Sequence, residues 1–253
     1  MQKKKTDNGS WEKSYAWYSK IVGFKGHYYH QNVIIPYLKK LISEENFTSL
    51  LDLGCGQGFL ANTLFKQLEY YGIDISSSLI KTAQSNNKKA KFFNADVSLP
   101  LPIKKTNFDY ACFLLSLQNM PYPDKAIKNA ASHLKQGGKL TLILNHPCFR
   151  IPKKTSWKID EDQQLQYRKI DSYMTPLKIP IQANPGKKEK SAILYSYHIS
   201  ISTYANILFN NNLVIERLDE LTSNKTSNGS KARMENKARK EIPLFLAVTA
   251  KKI

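Results

Sequence analysis

The chain has 253 residues, 42% of them apolar, long enough for one large core with an inserted cap. It contains no run of about 18 apolar residues and no N-terminal apolar stretch of signal-peptide length, so neither membrane spanning nor export is expected. The formal charge of +18 comes mostly from lysine: of 38 basic residues only Arg150, Arg168, Arg217, Arg233 and Arg239 are Arg, leaving 33 scattered Lys that suit a solvated surface better than one RNA-binding stripe.

Residues 1 to about 10 form a polar, basic tail. From Trp11 to Leu41 the pattern predicts two helical stretches around a Gly23 to Gly26 hinge, rich in rings at Trp11, Tyr15, Trp17, Tyr18, Phe24, Tyr28 and Tyr29. Most of these rings suit core packing, whereas Tyr18 and the His27 to His30 cluster suit a pocket wall. The two histidines have no acidic or Cys partner at ligand spacing, so no metal is expected.

Leu50-Leu51-Asp52-Leu53-Gly54-Cys55-Gly56-Gln57-Gly58 reads as a buried strand opening into a tight turn, with a helix following. Glycines at 54, 56 and 58 allow positive φ and let a ligand lie against the main chain. A dinucleotide fingerprint requires a third glycine where Phe59 stands, and no Gly-Lys-Ser/Thr follows for a phosphate-binding loop. Asp52 argues against both, because a strand-end carboxylate repels a pyrophosphate and attracts an ammonium or sulfonium.

Tyr70 to Ile75 reads as a second strand carrying Asp74, an acid suited to paired ribose hydroxyls. Phe92 to Val97 reads as a third strand with Asp96, and Phe108 to Leu115 as a fourth, apolar throughout because both its faces are buried. Ala126 to Leu134 has helical periodicity, Lys135-Gln136-Gly137-Gly138 is expected to close it with a glycine cap, and Lys139 to Leu144 is a fifth strand. The proline-containing stretch from Pro147 to about Tyr197 reads as an insertion, with extended segments in Tyr167 to Ile181 and a loop at Asn184 to Lys188. A helix over Ile199 to Phe209, a sixth strand over Leu213 to Leu218, a polar mobile loop over Thr222 to Lys240 and a last strand over Pro243 to Ala250 complete the chain.

The glycine turn and the three acids at successive strand ends resemble the class I, Rossmann-like S-adenosylmethionine-dependent methyltransferases. The segment Phe108 to Ile143 resembles their type 11, ubiquinone- and menaquinone-biosynthesis-like subgroup. The resemblance implies an α/β three-layer sandwich with a seven-stranded, mostly parallel sheet whose last strand is antiparallel. It implies an N-terminal cap over residues 1–44 and a methyltransferase domain over 45–253, with a substrate-covering insertion after strand five at about 147–197. S-adenosyl-L-methionine is the implied methyl donor, with no metal. Tyr18, Asp52, Gly54, Gly56, Asp74, Ile75, Asp96, Val97, Phe113 and Leu114 are the residues expected at it, Asp96 meeting the exocyclic amine of adenine.

A sulfonium methyl is already activated, so the protein supplies alignment and water exclusion, and a base only where the nucleophile must lose a proton. His146 at the end of strand five suits a general base or, equally, a hydrogen-bonded loop histidine. Arg150 can clamp an anionic substrate group or sit in a surface salt bridge, and Gln118 and Asn119 can bind substrate or cap a helix.

The expected reaction is methyl transfer to O, N or C of a small-molecule acceptor by a cytoplasmic monomer or homodimer, its three cysteines reduced. RNA methylation is the alternative that the basic surface raises. Leu114-Leu115-Ser116-Leu117 stands where amino-directed enzymes carry Asn/Asp-Pro-Pro-Tyr/Phe, and Cys148 lacks the strand-four Pro-Cys partner of the 5-methylcytosine enzymes. A non-catalytic cofactor-binding scaffold is the third reading.

Overall fold

The computed structural model describes residues 9–23, 26–63, 68–183 and 192–253; the expected tail through residue 8, Phe24 in the hinge and the loop Asn184 to Lys188 lie outside them. Eleven strands occur among the described residues. They are β1 (Ser49–Leu53), β2 (Glu69–Asp74), β3 (Lys91–Asn94), β4 (Phe108–Leu114), β5 (Leu134–Asn145), β6 (Thr155–Asp160), β7 (Leu165–Ile170), β8 (Leu177–Gln182), β9 (Ile193–His198), β10 (Leu213–Leu221) and β11 (Phe245–Lys252). The helices are α1 (Gly9–Lys13), α2 (Tyr15–Val22), α3 (Ile35–Ser43), α4 (Phe59–Thr63), α5 (Ser77–Asn86), α6 (Pro123–His133), α7 (Ile201–Phe209) and α8 (Ala232–Glu241). A π-helical turn, His30–Ile34, leads into α3.

Seven strands form one sheet in the order β10-β11-β5-β4-β1-β2-β3. The pairs from β5 through β3 are parallel, and β11 runs antiparallel to both its neighbours, as expected. Every residue of β1 and β4 is buried, Ser49, Asp52 and Asp109 among them, which is why the rest of both strands is apolar. Alternate residues feed two cores. One holds Leu51, Leu53, Ala111 and Phe113 with Ala126, Ile127 and Ala130 of α6 and Tyr204 and Leu208 of α7. The other holds Leu50, Tyr110, Cys112 and Leu114 with Leu38 of α3, Leu60 of α4 and Ile80 and Ala83 of α5. Helices therefore cover both faces, giving three layers around the sheet.

Three elements differ from expectation. The helix before β5 ends at His133, and Leu134 is already extended, so Lys135 to Gly138 belong to the strand and not to a glycine cap. Pairing of Leu134 with Phe108 draws this stretch into the sheet, and Gly137 at φ 75° absorbs the irregularity. The third strand stops at Asn94, whose side-chain amide donates to the carbonyls of Asp74 and Ile75, so Asp96 lies in the turn beyond it. The supposed loop Thr222 to Lys240 contains α8. Only Met234 and Ala238 are buried there, too sparse a period to read, and packing on β7 together with paired Asn236–Ser227 hydrogen bonds sets the helix.

Residues 147–197 contain two antiparallel hairpins, β6–β7 and β8–β9. Strand β9 rests on both α1 and the 3-10 turn Leu117–Asn119 that follows β4. The second hairpin is thereby placed against the ends of the parallel strands.

Candidate functional site

Gly54, Gly56 and Gly58 all adopt positive φ, at 77°, 56° and 74°. The turn is pinned to β2 because the amides of Gly54 and Cys55 both donate to the Ile73 carbonyl, at 2.8 and 3.0 Å. A Cβ on Gly54 would stand 2.5 Å from Cβ of Ser116, and one on Gly56 would stand 2.9 Å from the Tyr18 hydroxyl. Gly58 serves another purpose: its missing Cβ makes room for the Phe92 ring and Ala83, so it packs α5 against the turn.

The turn borders a cavity of about 380 Å³, within the range of small-ligand sites. Part of its wall is made at strand ends, by Gly54, Gly56, Asp74, Ile75, Asp96 and Val97. Asp74 is buried, accepting the Gly56 amide on Oδ2 and the Ser76 amide on Oδ1, each at 2.9 Å. An ionised carboxylate has about four acceptor positions, so capacity remains for a ligand hydroxyl beside these amides. Burial raises the Asp74 pKa, and those amides oppose the rise. Asp96 spends Oδ1 on the amide and hydroxyl of Ser98, at 2.9 and 2.7 Å. Its Oδ2 has no partner among the described residues.

Leu114, Leu115 and Ser116 continue the wall after β4. Leu115 holds φ at 51°, strained for a branched side chain, and its amide reaches the Ile143 carbonyl at 2.8 Å. The Ser116 hydroxyl donates to the Leu53 carbonyl at 2.7 Å, tying this turn to the glycine turn.

A second part of the wall is aromatic: Trp11, Tyr18, Tyr122, Tyr195 and Tyr197, with Met120 and the cation Lys178. Trp11 meets Tyr18 edge-on with ring centroids 5.9 Å apart. Their helices are held down by Glu12, whose carboxylate accepts from Ser76 Oγ at 2.7 Å, from Ser77 Oγ at 3.3 Å and from the amide and hydroxyl of Ser78. These bonds to Ser78 and Ser76 lower the Glu12 pKa to about 2, a carboxylate suited to the N-terminus of α5. Gln57 of the glycine turn also donates to the Gly23 carbonyl at the end of α2. Lys178 Nζ lies 4.1 Å from the Tyr195 ring centroid and 5.9 Å from that of Tyr197.

Of the residues expected at the cofactor, Tyr18, Gly54, Gly56, Asp74, Ile75, Asp96, Val97 and Leu114 share this wall; Asp52 and Phe113 do not. Phe113 is fully buried among the α6 side of the core. Asp52 faces the opposite core, accepting the Tyr70 hydroxyl at 2.5 Å and the Cys112 thiol at 3.8 Å. Burial raises its pKa to about 7, against the Tyr70 hydrogen bond. Gln118 is buried behind the wall, with Nε2 donating to the Leu115 carbonyl and Oε1 left without a partner, while Asn119 lines the cavity itself. His30 is also a core residue, its pKa lowered to about 4 by burial, with Nδ1 accepting the His27 amide.

His146 does not reach the cavity wall and has both ring nitrogens engaged. Nδ1 accepts the amides of Cys148 and Phe149 at 3.2 and 3.4 Å, and Nε2 faces Glu220 at 2.8 Å. The pattern requires the Nε2–H tautomer in the neutral ring, and burial lowers its pKa. Burial raises the Cys148 thiol, contrary to what a nucleophilic thiolate needs. Arg150 lines a separate, smaller cavity.

The aromatic wall contains what the sequence reading missed: Trp11, Tyr122, Lys178, Tyr195 and Tyr197. Only Tyr18 had been singled out there, and hairpin β8–β9 carries no local motif that marks Lys178 or the tyrosines.

The family model described as a methyltransferase domain matches residues 51–142. Ubiquinone biosynthesis O-methyltransferase of Coxiella burnetii is 33% identical over 96 residues, covering 36% of this chain and 41% of that protein. Demethylmenaquinone methyltransferase of Listeria welshimeri is 25% identical over 138 residues, covering 51% of this chain and 57% of that protein. The chain thus spans about half the length of the curated relatives it matches. An S-adenosylmethionine-dependent methyltransferase structure from Mesorhizobium loti superposes with a TM-score of 0.65 at 22% identity, covering 86% of this chain and 96% of that one.

Proposed function

We propose that this chain is a class I S-adenosylmethionine-dependent methyltransferase that moves a methyl group to a small-molecule acceptor at O, N or C, a reading supported by its fold and by the methyltransferase-domain match over residues 51–142. One observation carries the reading: a single cavity joins the glycine turn and two strand-end acids to an aromatic wall bearing one cation. The donor set fits S-adenosylmethionine. Asp74 retains acceptor capacity for a ribose hydroxyl, and Oδ2 of Asp96 is available to the adenine amine. The absent Cβ atoms of Gly54 and Gly56 let main chain, Ser116 and Tyr18 close up around the turn. When bound, the cofactor supplies a methyl group on a sulfonium, whose departure leaves a neutral thioether.

The remaining work belongs to the acceptor side. Residues 147–197 act as the substrate-covering insertion and residues 1–44 as the cap, with Trp11, Tyr122, Tyr195 and Tyr197 holding an apolar or aromatic acceptor and excluding water. Lys178 pairs with no carboxylate among the described residues, so its charge is available to the ligand. An ammonium facing an acceptor hydroxyl lowers its pKa, so the hydroxyl gives its proton to bulk water as it binds and no protein base has to accept it. His146 then serves the turn after β5 and not proton removal. The relatives named as a ubiquinone biosynthesis O-methyltransferase and a demethylmenaquinone methyltransferase support a ring-bearing acceptor, which suits this wall.

Among the described residues no helix is long and apolar enough to cross a membrane. With Cys55, Cys112 and Cys148 all unpaired, we place the protein in the cytoplasm. Incubation with methyl-labelled cofactor and separated metabolite and RNA fractions tests the assignment. Label is expected among small molecules; label confined to RNA would reverse it, and binding without turnover on either fraction would indicate a scaffold.

A further inference from the structure

Two of the chain's five arginines, Arg150 and Arg168, line one cavity of about 120 Å³ that shares no residue with the larger one. About 15 Å³ accommodates one water, so this space holds a group of several heavy atoms. Its remaining wall is largely apolar, with Trp157, Pro243 and Leu244. Lysine outnumbers arginine 33 to five in this chain, so the meeting of two guanidinium groups does not follow from composition. A guanidinium differs from an ammonium in presenting a rigid planar fork matched to phosphate and carboxylate oxygens.

Arg168 is set in place. Its Nε donates to the Phe149 carbonyl at 2.7 Å, Nη2 donates to Thr155 Oγ1 at 2.8 Å, and the guanidinium carbon lies 5.0 Å from the Trp157 ring centroid. The Arg150 guanidinium has no hydrogen bond or ion pair to any described residue, its main-chain amide alone being bonded, to the His146 carbonyl at 2.8 Å, and neither arginine pairs with a carboxylate there. The arginine ion pairs that occur among the described residues use Arg217 and Arg239. Burial lowers the pKa of both groups, and in Arg168 the Arg150 charge adds to the effect. Arginine nevertheless stays protonated in proteins, so two like charges face a half-buried space with no carboxylate among the described residues to balance them.

We propose that this cavity binds the phosphoryl group of a small phosphomonoester, with its organic stem on Trp157, Pro243 and Leu244. A monoester carries a charge of about −1.5 to −2 near neutral pH, matching two guanidiniums, whereas a carboxylate balances one. A nucleic-acid backbone offers singly charged diesters along an extended strand, a poor match to a half-buried pocket of this size. The site stands apart from the cavity assigned to methyl transfer and does not depend on that assignment.

Calorimetric titration of the full chain with phenyl phosphate, benzoate and a short single-stranded RNA tests the proposal. Phenyl phosphate is expected to saturate the wild type and to bind more tightly than benzoate. Arg150→Gln should weaken it about tenfold or more, and Arg150→Lys, which keeps the charge but not the fork, should weaken it less. S-adenosylhomocysteine affinity, measured in parallel, should be equal in all three proteins. Its absence from all three would strike at the methyltransferase reading and not at this site. Equal phenyl phosphate affinity in wild type and Arg150→Gln overturns the proposal, as does benzoate binding as tightly, or dependence on Arg150 for RNA alone.

Discussion

The two parts of the large cavity are built differently. The strand-end part places Gly54, Gly56, Asp74 and Asp96 around a turn whose shape is fixed by positive φ angles and by main-chain amides bonded to a carbonyl and a carboxylate. The aromatic part gathers Trp11, Tyr122, Lys178, Tyr195 and Tyr197 from three distant stretches. In the first part the backbone makes the surface, so the residue types are nearly forced and lie close together in sequence. In the second, side chains make the surface, and many residue types would serve. Under the proposed function, strand ends suit a constant ligand and the aromatic part a variable one.

Breaking the first part should cost most. Gly54→Ala puts a side chain at φ 77° and 2.5 Å from Ser116. Strain of about 1–3 kcal/mol adds to an overpacking cost of about 1–3 kcal/mol. Chemical denaturation should show a loss of a few kcal/mol, and calorimetry should show S-adenosylhomocysteine affinity reduced by far more than in any change to the aromatic wall. Equal losses from both walls would erase the distinction.

Asp52 tests how far the strand-end part extends. Its folded pKa of about 7 lies above the ordinary carboxyl value of 3.8, so folding takes up a proton between those values. Stability from this group is therefore full at low pH and declines as pH rises toward 7, by about 1.4 kcal/mol per pH unit. Asp52→Asn should remove that slope in urea unfolding measured across the window, with cofactor affinity little changed. A large loss of affinity would return Asp52 to the binding wall.

The same contrast explains what the sequence revealed. The antiparallel β11 follows the resemblance, and eight of the ten residues expected at the cofactor line one cavity, because glycine spacing and strand-end acids are local rules with few structural alternatives. Asp52 and Phe113 misled because a strand-end position does not reveal which face a side chain takes: Phe113 alternates into one core, and Asp52 into the other. Helix α8 escaped because tertiary packing of just Met234 and Ala238 sustains it. The roles of Lys178 and its tyrosines escaped because a hairpin's pairing register, not its composition, decides what meets a site 120 residues upstream.

Changing the aromatic part should leave cofactor binding intact. Lys178→Met keeps the stem and removes the charge. For a hydroxyl acceptor, kcat/KM should fall about tenfold, roughly 1.4 kcal/mol, and the pH–rate profile should move to higher pH as the acceptor loses the cation that favours its ionised form. S-adenosylhomocysteine affinity should match the wild type. An unchanged profile with a raised KM would reduce Lys178 to packing on Tyr195.

The smallest effect is expected at His146, which belongs to neither part. Its Nδ1 holds the turn amides of Cys148 and Phe149, and the Asn carbonyl of His146→Asn can replace that acceptor. What disappears is the Nε2 contact to Glu220, a residue half exposed at 51%, so the cost should be only about 1 kcal/mol of stability. Because burial lowers the ring's pKa below 6.5, the wild type loses this group's contribution as pH falls through that value, and the variant should lose less. Turnover should stay within about twofold at every pH, since a ring with one nitrogen bonded to the turn and the other to Glu220 has no proton site facing the acceptor. A drop of a hundredfold or more in kcat with the fold intact would instead make the ring the base, and would require the turn after β5 to open during the reaction.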